Sequence, residues 1–288
     1  MKTSSKRLLI ILSVLAIIIL IVVLNSTVFT LKKVEVNFYN TQDQLIEDNN
    51  TLTHFNEESI DDIIDSAKFK FGKTIFLIKK QPYINRLELK NPYLKVISIT
   101  ARFPNKLVIK VAEREVLYAT PLANSKYALL DGELKVLEIV DSIDAFDCVV
   151  VDLELDTLQA GTFIKGEKQY SILKQFAPCM QVCTFNTQET IALIESVSLE
   201  YGHLTGSQTE QGYWLNIKTR AQNKEGSAVA GVSLRIEDSA KNLEDKLYKA
   251  WVAYNTLLTS DVAKTQSGTI TVTYDNSGDT DYNVVWTA

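Results

Sequence analysis

Histidine is nearly absent. The 288 residues contain only His54 and His203, together with three cysteines, five prolines and two methionines. A hydrolytic triad or a zinc centre needs an imidazole beside a nucleophile or among further ligands, and no HExxH, GxSxG or CxxC spacing occurs. The expected set of catalytic, metal-binding and cofactor-binding residues is therefore empty. The acidic pairs Glu57-Glu58 and Asp61-Asp62 fit the positive end of a helix better than a metal site or a glycosidase pair. Gly202 and Gly206 flank His203 without a phosphate-binding pattern. Three cysteines, Cys148, Cys179 and Cys183, give no disulfide framework. Ile172, Phe176, Cys179, Met180 and Cys183 share one helical face, so Cys179 and Cys183 read as small buried hydrophobes. Basic excess is missing too. Beyond Lys2, Lys6 and Arg7, 27 basic residues stand against 35 acidic ones, a balance of about −8 that argues against nucleic acid and against broad adhesion to anionic lipid.

The chain does have one long apolar run. From Leu8 to Leu24 only Ser13 is polar, and the uncharged stretch over residues 8–29 gives about 33 Å of helix, enough to span a bilayer. A cleaved signal peptide is disfavoured, because the apolar core exceeds the usual length and LNSTVFT offers no small-residue cleavage site. The basic residues of the 1–7 tail predict a cytoplasmic N-terminus, with everything after Thr30 extracytoplasmic. With 46% apolar residues, the chain has enough material for one large domain or two ordinary ones.

Those domains announce themselves by period. Val34, Val36 and Phe38 alternate with polar neighbours as a first strand, and a polar loop runs on to Phe55. Asn56 is the expected N-cap of a helix with an Ile60, Ile63, Ile64 and Ala67 stripe, ending at Gly72. A shorter helix starts near Lys79, with Pro82 in its first turn and Ile84 and Leu87 inward, and stops before Asn91-Pro92. Two strands close the unit: Ile97, Ile99 and Ala101 form one inward row and Leu107, Ile109 and Val111 the other, joined by a Phe103-Pro104-Asn105 turn in which Asn105 tolerates the left-handed conformation.

This strand-helix-helix-strand-strand order, with FGKTIFLIKK between the helices and NPYLKVISITARFPNKLVIKVAERE at its end, resembles the polypeptide-transport-associated (POTRA) domain of the FtsQ/DivIB family of bacterial division proteins. Gly72-x-x-Ile75-Phe76 and the run from Arg102 to Arg114 carry the likeness. The expected fold class is α+β: a single N-terminal transmembrane helix over 8–29, a POTRA domain over 31–115, an FtsQ-type β domain with flanking helices over 116–275, and a C-terminal hairpin arm or tail over 276–288.

In the β domain, strands are expected over Val116–Thr120, Lys126–Leu130 and Leu134–Ile139 with a hairpin at Asp131-Gly132, and over Phe146–Leu153. A helix around Gly166–Cys183 is expected to be kinked or shortened by Pro178. Further strands over 192–201, 213–219 and 229–236 are separated by loops at 206–211 and 223–226. A helix opening at Asp238 or Ser239 repeats Leu243, Leu247, Trp251, Tyr254 and Leu258 at helical spacing, and a strand over 269–274 comes after it. Leu243-x-x-Lys246-Leu247 and GTITVTY fit the same family. Trp251 and Tyr254 belong to the core stripe rather than to a ligand box.

The resemblance implies a non-catalytic scaffold of the division machinery, enriched at the septum and without cofactor. Its implied partners are the bitopic coiled-coil proteins FtsB (DivIC in Gram-positive bacteria) and FtsL, and beyond them the septal peptidoglycan synthases FtsW and FtsI. The implied mechanism is β-strand addition at the C-terminal edge of the β domain: Thr269, Ile270, Thr271, Val272, Thr273 and Tyr274, or the arm bearing Tyr282 and Trp286. Thr269, Thr271 and Thr273 have a plainer alternative as the solvated face of a sheet. Arg102 and Lys106 mark a second docking surface on the POTRA domain. The rival reading is a membrane-anchored extracytoplasmic cell-wall enzyme with a site in the β domain. A barrel-forming transporter is excluded, since no regular lipid-facing alternation comes after the POTRA segment.

Overall fold

The structure, a computed structural model, describes residues 3–40, 42–56, 58–123, 125–153, 155, 158–164, 166, 168–184, 192–224, 227–229, 231–258, 267–274 and 282–288. The chain divides into two compact units, Met1–Arg114 and Glu115–Ala288, and its class is α+β, as expected.

In the first unit α1 spans Thr3–Thr27, and its Leu9–Thr27 stretch is long and apolar enough to cross a membrane. Beyond it, three strands combine with two helices: β1 (Lys33–Phe38), α2 (Ser59–Ala67), α3 (Gln81–Lys90), β2 (Leu94–Arg102) and β3 (Lys106–Glu113). β3 lies in the middle, parallel to β1 and antiparallel to β2. Val34, Val36, Phe38, Leu107, Ile109 and Val111 are buried on one face, with Ile63 and Ala67 of α2 and Leu87 of α3. Asn56 and Ser59 cap α2 reciprocally: Ser59 N–H donates to Asn56 Oδ1 (3.0 Å) and Asn56 N–H to Ser59 Oγ (3.1 Å).

Three local expectations change. α2 ends at Lys68, which takes the left-handed conformation (φ 53°), whereas Gly72 (φ 77°) turns the chain so that its N–H reaches Leu31 O at 3.0 Å. Asn105 does not use positive φ; the Phe103–Pro104 bond is cis. The register of β2 shifts between Val96 and Ser98, so Ile97 is 46% exposed instead of lining the core with Ile99. An extra residue in one strand flips the side-chain alternation beyond it, and period-2 counting runs straight through such a point.

The second unit is built on a nine-stranded sheet. Its strands are β4 (Tyr118–Pro121), β5 (Tyr127–Leu130), β6 (Val136–Val140), β7 (Val149–Val151), β8 (Ile194–His203), β9 (Gln211–Thr219), β12 (Ser233–Ile236), β13 (Thr269–Tyr274) and β14 (Tyr282–Thr287). A separate hairpin pairs β10 (Gln222–Lys224) with β11 (Ser227–Val229), in place of the expected loop and the start of a longer strand. The sheet order is β14-β13-β12-β9-β8-β7-β4-β5-β6. Parallel neighbours need long crossovers, and helices supply two of the three, α4 (Lys168–Thr184) between β7 and β8 and α5 (Leu243–Leu258) between β12 and β13, whereas in sequence β5 and β6 lie between β4 and its parallel neighbour β7. Both pack on one face over a core that includes Tyr118, Phe176, Ile217, Leu247, Trp251 and Tyr254. Ala119, Leu129 and Cys148 form a smaller cluster of their own.

Pro178 lies inside α4 without ending it. Cys148 and Cys179 are buried free thiols, and burial pushes Cys179 up to about 11 and raises Cys148 as well, so neither is a thiolate at neutral pH. The side chain of Cys183 lies outside the described residues. At Asp131-Gly132 the turn is longer than a two-residue hairpin: Asp131 Oδ1 accepts the N–H groups of Glu133 and Lys135, and Leu134 takes positive φ. The strand expected over Phe146–Leu153 is confined to Val149–Val151.

Candidate functional site

The corner formed by α5, β13 and β14 is the most distinctive part of the second unit. Its geometry starts with a turn. Asp238 and Asn242 both take positive φ (41° and 49°), so helix cannot begin at Asp238 or Ser239 and opens at Leu243. Ser239 instead gives its N–H (2.7 Å) and its hydroxyl (3.0 Å) to Tyr213 O. Lys246, fully buried on the first turns of α5, reaches back and donates to Glu237 O (2.7 Å) and Asp238 O (2.9 Å). Its ammonium also sits 4.1 Å from the Tyr274 ring centroid. The buried Glu237 carboxylate accepts the N–H of Thr205 and, at 3.2 Å, that of Tyr274. Burial pushes Lys246 down to about 8, although Asp238 and Glu237 oppose the shift. A perturbed lysine in a pocket would suggest chemistry, but this one is closed off from solvent and spent on main-chain carbonyls. It staples the end of β12, the start of α5 and the end of β13.

The stapled frame decides which strand is the edge. β13 pairs with β12 on one side and with β14 on the other, in register from Thr269↔Thr287 to Tyr274↔Tyr282. Ser233 N–H donates to Gly268 O (2.9 Å) and Glu237 N–H to Val272 O (3.0 Å). Even-numbered residues of β13 therefore turn their main-chain groups to β12, and Thr269, Thr271 and Thr273 turn theirs to β14. By the same alternation Asn283, Val285 and Thr287 complete the ladder, and the N–H and C=O groups of Tyr282, Val284 and Trp286 aim away from it. Among the described residues no strand pairs with that outer side. Ile270 and Val272 point into the core, at 2% and 0% exposure. The threonines of β13 share their face with Ser233, Arg235 and Lys218, which is the solvated-face alternative raised by the sequence.

The surface beside the open edge is apolar. Tyr248 and Val252 stand out from α5, Val284 faces them from β14, and with Lys249 and Ala253 they line a groove of about 330 Å³. Tyr282 and Trp286 anchor β14 by packing against the core, with Lys249 Nζ 5.1 Å from the Tyr282 ring centroid. Tyr248, Val252 and Val284 were not singled out from sequence; the signal was there in α5, where both residues fall off the buried stripe. Gly268 admits the Trp286 ring, because a Cβ there would collide with that ring and with Thr287 O. Gly268→Ala is expected to detach β14 selectively: amide exchange at 282–287 should rise at least tenfold while α5 stays protected, a pattern readable by hydrogen-exchange mass spectrometry.

On the first unit, Arg102 is exposed at the end of β2, opposite Lys106. Lys106 is engaged in an ion pair with Glu35, and that pairing, with Lys33 at 3.0 Å, holds the Glu35 carboxyl below the usual range. His54 stacks on Tyr93 at 3.6 Å, and its Nδ1 lies 2.8 Å from Glu113 Oε1, tying the preceding loop to β3. His203 Nε2 lies 3.4 Å from Gln211 Nε2 and its carbonyl accepts the Trp214 indole N–H. Among the described residues no group of three or more His, Cys, Asp and Glu is placed to hold a metal.

A three-stranded sheet backed by two helices, joined to one membrane-length helix, defines a membrane-anchored POTRA protein, and residues 52–114 match the FtsQ-type POTRA domain family. Similar proteins include the cell division protein DivIB of Clostridium acetobutylicum, 25% identical over 163 residues (57% of this chain, 58% of that protein). That of Clostridium tetani is 27% identical over 164 residues (56% and 59%), and that of Clostridium botulinum strain Loch Maree is 40% identical over 77 residues (23% and 30%). The aligned part thus spans less than two thirds of these relatives' length. The POTRA match and these relatives support the FtsQ/DivIB family of cell-division proteins as the one this chain is similar to.

Proposed function

We propose that this chain is a non-catalytic scaffold of the division machinery, anchored by α1 with its N-terminus in the cytoplasm and both units outside, and that β14 receives a strand from a bitopic partner of the FtsB/DivIC or FtsL type. Through those partners it would act on the septal synthases FtsW and FtsI and concentrate at the septum. The observation that carries this reading is the row of outward main-chain groups at Tyr282, Val284 and Trp286 beside the Tyr248–Val252 groove. An added strand satisfies those groups, and its alternate side chains find apolar contact in the groove. The POTRA rim at Arg102 and Lys106 serves as a second docking surface for recruitment. Among the described residues no feature favours the cell-wall enzyme.

The test is in-cell crosslinking. A photoreactive side chain in place of Val285, at the edge but outside the groove, is expected to capture a FtsB/DivIC-type partner, and one in place of the inward Val272 is expected to capture nothing. Equal yields from the two positions, or none from Val285, would count against strand addition.

A further inference from the structure

We infer that the membrane-facing rim of the POTRA unit is itself a lipid-binding seat, in which Phe29, Phe76, Leu77 and Phe103 enter the bilayer interface and an adjoining basic groove takes the phosphate of an anionic lipid headgroup. The apolar part of α1, Leu9–Thr27, has 19 residues. At 1.5 Å per residue that is about 28 Å, close to the hydrocarbon thickness, so Phe29 falls at the interface where aromatic side chains collect.

The other apolar residues are held near that level by main-chain bonds. Ile75 N–H donates to Phe29 O (2.9 Å), Leu31 N–H to Lys73 O (2.8 Å) and Lys32 N–H to Asn105 O (2.8 Å), which zips residues 72–75 and the β2–β3 turn to the exit of α1. The rings then meet: Phe29–Phe76 at 5.4 Å, Phe29–Phe103 at 6.1 Å and Phe76–Phe103 at 5.5 Å between centroids. Yet Phe76 is 53% exposed, Phe103 67% and Leu77 81%. Such a cluster is unfavourable in water and suited to a headgroup boundary.

Charge supplies the second, independent argument. Leu77 and Ile78 also border a groove of about 370 Å³ whose charged lining is Lys68, Lys70, Lys73, Lys79 and Arg86, with no carboxylate among its lining residues. In a chain whose balance outside the tail is negative, five cations converge beside the membrane-level aromatics. Residues 31–114 themselves carry 14 basic against 11 acidic side chains, and with five of the cations gathered in this groove the attraction to an anionic surface is concentrated at that rim.

The test uses the full chain in nanodiscs of phosphatidylcholine with or without phosphatidylglycerol. Phe76→Trp and Phe103→Trp add a reporter to the background of Trp214, Trp251 and Trp286, all in the second unit. Lipids brominated near the headgroup end of the acyl chain are expected to quench the added emission at least about twofold more than that background. Quenching no greater than background would overturn the aromatic seat. For the groove, amides of 68–86 are expected to be more protected with phosphatidylglycerol. That gain should vanish in the combined Lys68→Gln, Lys70→Gln, Lys73→Gln and Lys79→Gln variant and in high salt. Equal protection in both lipids would overturn the headgroup site, and so would recovery of the full gain by inorganic phosphate over phosphatidylcholine, which would assign the groove to a free anion.

Discussion

Proline at Val284 is expected to abolish capture of the partner strand while costing less than about 1 kcal/mol of stability, whereas proline at Val272 is expected to cost about 3 kcal/mol or more and to unfold the second unit in part. The two residues are register partners on adjacent antiparallel strands. They differ in what their N–H groups meet. Val272 is fully buried in a strand paired on both sides, so the proline ring removes a ladder bond and strains a packed position. Val284 directs its N–H away from β13, and losing it leaves the native ladder intact. Denaturant titrations followed by tryptophan emission, together with pull-down of the partner's extracytoplasmic segment, separate the effects. Retained binding by Val284→Pro would sink strand addition at this edge.

The second large effect is expected at Lys246. Lys246→Met retains much of the volume and removes the ammonium, leaving two buried carbonyl groups without their donor and the Asp238 and Glu237 carboxylates without its nearby charge; the expected loss is on the order of 3 kcal/mol. The effect has a pH signature. Because the folded-state value is pushed down to about 8 from 10.5, the unfolded chain binds more protons across that window. Wild-type stability should therefore rise from about pH 8 to 10.5 relative to Lys246→Met, and the difference should be flat below 8, where both states are protonated. Urea melts at a series of pH values check this, and a difference independent of pH would show that the lysine is not desolvated as the structure has it.

The legible parts of this chain were those in which a residue's neighbours in sequence are also its neighbours in space. The stripe of α5, the alternation of β1 and β3, the proline-bounded start and stop of α3, and the Asn56 cap are settled within one or two turns of chain, and their side-chain periods follow from backbone geometry alone. Much of the partner-edge proposal was within reach in the same way, since Tyr282 and Trp286 stand out beside the 269–274 strand. The groove residues Tyr248 and Val252 were missed because an exposed apolar side chain on a helix says nothing until its neighbour across space is known.

Sequence by itself determined the membrane-length helix and the two-helix, three-strand unit behind it, because hydrophobic period is a local property. Only the tertiary structure decided that Ile97 lies on a shifted register, that α5 starts at Leu243 under a lysine staple, and that β14 rather than β13 is the outermost strand among the described residues. Each of these depends on which segment satisfies a given N–H or C=O, and such pairing joins residues far apart in the chain, beyond the range of periodicity.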